Sequence, residues 1–174
     1  MSDQPFRLGW EEWVSLSDLG LPALKAKVDT GARTSALHAF DNEPFGPKHK
    51  HRVRFAVHPV PGRDEPVIPC SAEIIDRREV TSSNGETELR YVIGTTISVG
   101  GRSWPIEITL TDRYTMAYRM LLGRQALPED IVVAPSESFC QPELDYQVYH
   151  SARVREAQPQ RALRIAVLSR EPNN

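Results

Sequence analysis

Between Leu8 and Thr111 the chain repeatedly alternates apolar with polar residues over short stretches, a period that suits strands buried on one face and suits helices poorly. Leu8 to Leu16 mixes bulky apolar and acidic residues in a strand-like way, and Ser17-Asp18-Leu19-Gly20-Leu21-Pro22 supplies turn chemistry. Leu24-Lys25-Ala26-Lys27-Val28 is a half-exposed strand that delivers Asp29 at its end. Val53, Phe55 and Val57 alternate with Arg52, Arg54 and Ala56 until Pro59 and Pro61 break the pattern. Val67 to Ile75, Glu88 to Val99 and Trp104 to Thr111 continue the series, punctuated by Ser83-Asn84-Gly85 and Gly100-Gly101. The pattern predicts an all-β fold, closed or sandwiched. Arg124-Gln125-Ala126-Leu127 opens the one short helix, which Pro128 cuts off.

Beyond Pro135 the alternation weakens. Residues 141–160 read as a polar linker, and Arg161 to Arg170 as a final apolar strand. At 174 residues the chain suits one domain plus a tail, divided here as 1–140 and 141–174. Its 21 basic and 23 acidic residues nearly cancel, which argues against a nucleic-acid or anionic-membrane partner. The local basic run from His49 to Arg54 reads as a solvated strand start or loop rather than a nucleic-acid patch. No apolar stretch reaches membrane-spanning length, and Met1 to Pro5 lacks a secretory pattern, so a cytoplasmic location is expected. Cys70 and Cys140 stand apart as separate reduced thiols. His38, His49, His51, His58 and His150 form no HExxH, and the His49/His51 pair reads as surface. There is no Gly-x-x-x-x-Gly-Lys phosphate loop either, so neither a metal nor another cofactor is expected.

The chemistry sits at Asp29-Thr30-Gly31. Peptide hydrolysis by aspartates needs two carboxylates sharing one proton, one activating water while the other donates to the carbonyl oxygen. A loop presenting such an aspartate needs a short hydroxyl residue and a glycine beside it, so that backbone amides can reach the carboxylate. The triplet alone is a common string. Its setting adds weight: a strand ending in Val28 precedes it, Ala32 to Leu37 follows with small and apolar residues, and Met120-Leu121-Leu122-Gly123-Arg124 comes later as a second apolar segment.

Val28-Asp29-Thr30-Gly31-Ala32 and Leu121-Leu122-Gly123-Arg124 together resemble the two motifs of retropepsin-like aspartic proteases. The stretches Lys25 to His38 and Leu110 to Arg124 look closer still to a bacterial branch often labelled ATP-dependent zinc proteases and found beside ATP-grasp glutamate ligases. The resemblance implies a retropepsin-like closed β-barrel lobe with one short helix after the second motif. It implies Asp29 as the catalytic residue, with Thr30, Gly31, Ala32, Gly123 and Arg124 shaping and bracing its loop. A flap is implied between the motifs, with Arg78 to Gly85 the candidate and Ser82, Ser83, Asn84 and Gly85 its tip. One D-T-G supplies half a dyad, so a homodimer with one Asp29 per chain is the economical solution; Asp112 is the alternative within one chain. The final apolar run looks like the first strand of an ATP-grasp ligase, so the domain could front a protease–ligase fusion, or the run could pair with the barrel instead.

Two functional readings follow. In the first the protein is an aspartic endopeptidase acting on protein or glutamate-rich tails in concert with a ligase. Arg33, Arg77, Arg78, Arg90 and Arg113 are the side chains that would welcome acidic substrate. In the second the same fold grips a peptide or the ligase without hydrolysis, because fold does not guarantee chemistry.

Overall fold

The computed structural model describes residues 4–81, 84–112 and 117–150. Eleven strands lie among them: β1 (Phe6–Leu8), β2 (Glu11–Leu16), β3 (Leu21–Asp29), β4 (Ser35–His38), β5 (Phe40–Phe45), β6 (Arg52–Val57), β7 (Ile68–Thr81), β8 (Thr87–Val99), β9 (Arg102–Thr111), β10 (Met120–Gly123) and β11 (Ile131–Val133). The all-β expectation is met, and the short helix at Arg124 is present as a single 3-10 turn, Arg124–Ala126. The chain divides into two compact units, Met1–Leu144 and Asp145–Asn174. In the second unit residues 147–150 are helical; the predicted final strand, Arg161 to Arg170, lies outside the described residues.

Strands β2-β3-β10-β4-β9-β8 run side by side, and Ser15 of β2 pairs with Ser98 of β8 to close them into a six-stranded barrel. Closure removes the exposed edges that an open sheet would carry. From β8 the sheet continues outward through β7 and β6 to β5. A separate parallel pair, β1 and β11, brings Phe6 opposite Ile131.

The period-two pattern accounts for the core. On β3, Leu21, Ala23, Leu24, Ala26 and Val28 are buried while Lys27 is exposed. Leu37, Ile93, Ile97, Ile108, Leu110, Met120 and Leu122 come in from the other barrel strands. Each such side chain contributes about 1.5–3 kcal/mol by leaving water. Val53, Phe55 and Val57 are the buried members of β6; the basic run from His49 to Arg54 begins in a 3-10 turn at Lys48–Lys50 and enters the strand only at Arg52, with Arg54 facing solvent.

Two glycines and one buried acid tie the barrel's start to its end. Glu12 is wholly buried, and its carboxylate accepts Gly9 N (2.7 Å), Cys140 N (2.8 Å) and Gln141 N (3.1 Å). A side chain at Gly9 would collide with the Glu137 carbonyl, and one at Gly100, at φ 56°, would collide with Gln141. Cys70 donates its thiol to the Leu19 carbonyl, and burial pushes its pKa up to about 12, so it is an inert core thiol.

At the end of β4, His38 is buried with Arg119, and its ring faces those of Phe40 and His58. Burial, then the Arg119 charge, then His58 hold its pKa below the usual 6.5, while Asp112 pulls the other way. The unfolded chain therefore takes up a proton that folded His38 refuses. Stability is full above about pH 6.5 and falls as the pH drops below it. A lower urea midpoint at about pH 5.5 than at about pH 7.5 is expected, and His38→Gln should flatten that slope. An unchanged slope in the variant would assign the acid loss to other groups.

Candidate active site

Strand β3 ends at Asp29 because the chain turns there: the Asp29 carbonyl accepts Ala32 N at 3.1 Å, and its carboxylate Oδ1 accepts Gly31 N at 3.0 Å. Residues 30–34 then arch over to β4. Strand β10 lies between β3 and β4, parallel to the first with Gly123 opposite Asp29, and antiparallel to the second. The chain leaving β10 thus passes into the crook of the Asp29 loop.

That passage demands glycine. A Cβ on Gly123 would sit 2.5 Å from the Thr34 carbonyl oxygen and 3.0 Å from that of Ala32, both backbone atoms that cannot yield cheaply. The crossing is sewn by hydrogen bonds: Arg124 N to Ala32 O at 2.8 Å, Gln125 N to Arg33 O at 3.1 Å, and Gly123 N to the buried Ser35 hydroxyl at 2.9 Å. The Arg124 guanidinium donates to the Thr30 and Gly31 carbonyls at 3.4 and 3.3 Å. The sequence motifs bring Asp29, Thr30, Gly31, Ala32, Gly123 and Arg124 into one cluster. Ser35 was missed, since a buried hydroxyl in so short a strand leaves no periodic trace.

The Asp29 carboxylate is half-buried, and Thr30 and Gly31 are exposed at the crest of the loop. Next to the far limb of the loop, at Thr34 and Ser35, opens a cavity of about 290 Å³, bounded also by Gln125 and Ala126, by Glu107 of β9 and by Arg78 of β7. Asp112 is not brought to this end. It follows Thr111, which pairs with His38, whereas Ser35 pairs with Ile108. Four residues of strand place it roughly 13 Å further along.

Strands β7 and β8 form a long hairpin between the two motifs, with Thr81 opposite Thr87 and Arg78 opposite Arg90. Of the expected tip, Asn84 and Gly85 are described and form an exposed turn; Ser82 and Ser83 lie outside the described residues, as does Arg113. Arg78 Nε donates to Asp76 (2.9 Å) and Arg90 Nε to Glu88 (3.0 Å). Their Nη nitrogens donate to nothing among the described residues. Arg77 faces the other way, against His51 and the Tyr91 ring. Among the described residues no three His, Cys, Asp or Glu side chains gather as a metal site.

The model of one protein family, described as the retropepsin-like aspartic endopeptidase RimB, matches residues 7–144. The chain belongs to this RimB-like family. Its matched span covers the barrel, the Asp29 loop, the Gly123 crossing and the hairpin. A "Probable alpha-L-glutamate ligase" of Shewanella pealeana is 44% identical over 99% of this chain and 38% of its own length. A protein of the same description from Shewanella halifaxensis is 49% identical over 80% of this chain and 31% of its own length. The chain thus spans about a third of the length of these curated relatives. A crystal structure of a Legionella pneumophila protein of unknown function is similar, with a TM-score of 0.65 and 28% identity across 80% of this chain and 98% of that one. No helix among the described residues is long and apolar enough to cross a membrane.

Proposed function

We propose that this RimB-like domain is a cytoplasmic aspartic endopeptidase whose active site is completed by a second copy, each chain contributing one Asp29. The observation that carries the reading is the position of Asp29, where β3 enters a loop braced by the Gly123–Arg124 crossing, with Thr30 and Gly31 exposed beside it. A lone aspartate held this rigidly at an exposed edge suits a twofold axis. Two such carboxylates in contact would share one proton and activate water between them. The hairpin, acting as a flap, would close over the bound chain and exclude solvent.

The substrate we favour is a glutamate-rich protein tail, with a glutamate ligase as functional partner. Arg78 borders the cavity beside the loop, and directly opposite it stands Arg90, a like-charge pair that is unfavourable by itself. With each guanidinium anchored through Nε, the outward nitrogens present two forks suited to carboxylates. The ligase description of longer relatives supports a shared substrate chemistry.

Sedimentation across a concentration series, with cleavage of an oligoglutamate-tailed peptide followed in parallel, tests both parts. Activity should rise with the dimer fraction, and full activity of a strict monomer would sink the shared site. Arg78→Ala with Arg90→Ala should cut kcat/KM for the acidic peptide by about 10–100-fold. An equal fall for a neutral peptide would argue against charge recognition. Binding of the acidic peptide without cleavage at any concentration would favour the non-hydrolytic module.

A further inference from the structure

The tip of the β7–β8 hairpin carries chemistry that peptide cleavage leaves unused. Asn84 and Gly85 are exposed. Gly85 sits at φ 90°, and an added Cβ there would meet nothing within 4 Å, so the turn is open on that side of its Cα. The Gly85 N–H donates to no acceptor among the described residues. The Asn84 carboxamide oxygen accepts Glu86 N at 3.2 Å, which folds the side chain back over the backbone that follows it. It also places a donor on the oxygen that turns negative when a nucleophile adds to Cγ.

We propose that Asn84-Gly85 is a self-modification site where the folded chain deamidates at the flap tip. The Gly85 nitrogen gives up its proton to solvent and bonds to Asn84 Cγ. The Cγ–Nδ2 bond breaks, and Nδ2 leaves as ammonia after taking a proton from water. The resulting five-membered succinimide is opened by water at either carbonyl, yielding aspartate or isoaspartate. Water is the only co-reactant, and no electrons change hands. Asn42 lacks the arrangement, since Glu43 follows it and its carboxamide oxygen is buried.

The product adds a carboxylate to a tip that already holds Glu79, Glu86 and Glu88, near the Arg78–Arg90 pair. The isoaspartate form also lengthens the main chain by a methylene within the turn. Resting on the proposed acidic substrate, the modification weakens capture of an anionic chain and acts as a one-way timer on the flap.

The folded chain, incubated for days at about 37 °C in mildly alkaline buffer, is digested and mapped by mass spectrometry with isoaspartate detection. A one-dalton gain in the Asn84 peptide is expected, with Asn42 intact, slowed several-fold in Gly85→Ala and absent in Asn84→Gln. Asn84 still an amide when a free peptide of the same sequence has converted would overturn the proposal. In a second arm, Asn84→Asp should cleave an acidic peptide several-fold more slowly than Asn84→Ser, while the two variants cleave a neutral peptide at the same rate as each other. Equal rates would overturn the timer. If no variant cleaves any peptide, the proposed function fails, while the mass readout still decides the modification.

Discussion

Asp29→Asn is expected to abolish peptide cleavage while leaving the unfolding midpoint where it was. Asn is close to isosteric, and its oxygen can still accept Gly31 N, the hydrogen bond that Asp29 Oδ1 makes now. What disappears is the proton shared across the dyad. In a homodimer both halves are altered by one substitution, so neither a base nor an acid of the right kind remains. The loss in kcat/KM should be on the order of 10²–10⁴-fold or more, the range that positioned acid–base groups supply. Cleavage assays with thermal unfolding of the same preparations check both halves of the expectation. A variant as active as the parent would end the aspartic mechanism, and a variant that unfolds early would leave Asp29 a structural role as well. Mixing parent and variant chains adds a further readout: if the site is shared, heterodimers are inactive and activity falls faster than the parent fraction.

The parts of the fold legible in the sequence are those where burial alone imposed the pattern. Strands β3, β6, β8 and β9 each set one face in the core, so their apolar residues recur every second position, as at Val53, Phe55 and Val57. Strand β4 escaped because two of its buried residues, Ser35 and His38, are polar and its four residues are too few to show a period. Strand β5 escaped because Pro44, the positive φ of Asp41 and a register shift interrupt it, features that also blunt a sheet edge. The site was half legible for the same reason. Asp29-Thr30-Gly31 and Gly123 are dictated by backbone geometry that only such residues satisfy, so the string records the loop. Ser35 and Glu12 matter through the particular backbone amides they meet, and all of those but Gly9 N come from residues 88 and 128 or more positions away.

Glu12 shows how far such a contact reaches. Its carboxylate takes three backbone donors in a site closed to water, so truncation to Ala strands three N–H groups at once. We expect Glu12→Ala to cost about 3–5 kcal/mol and Glu12→Gln about 1–3, since the amide keeps one acceptor but turns an NH₂ toward a remaining donor. Urea unfolding of the three proteins should rank them in that order. A Glu12→Ala midpoint close to the parent's would mean that water or rearrangement satisfies those amides. The consequence extends to the active site. Gly9, which Glu12 holds, precedes Trp10, whose N–H reaches the Glu137 carbonyl at 2.8 Å and whose own carbonyl accepts Val28 N at 2.7 Å. Val28 is the residue before Asp29. Loosening the clamp therefore loosens the strand end that aims the carboxylate. Glu12→Gln, folded in dilute buffer, should show faster amide exchange at residues 9–10 and 28 and a fall in kcat larger than its unfolded fraction explains.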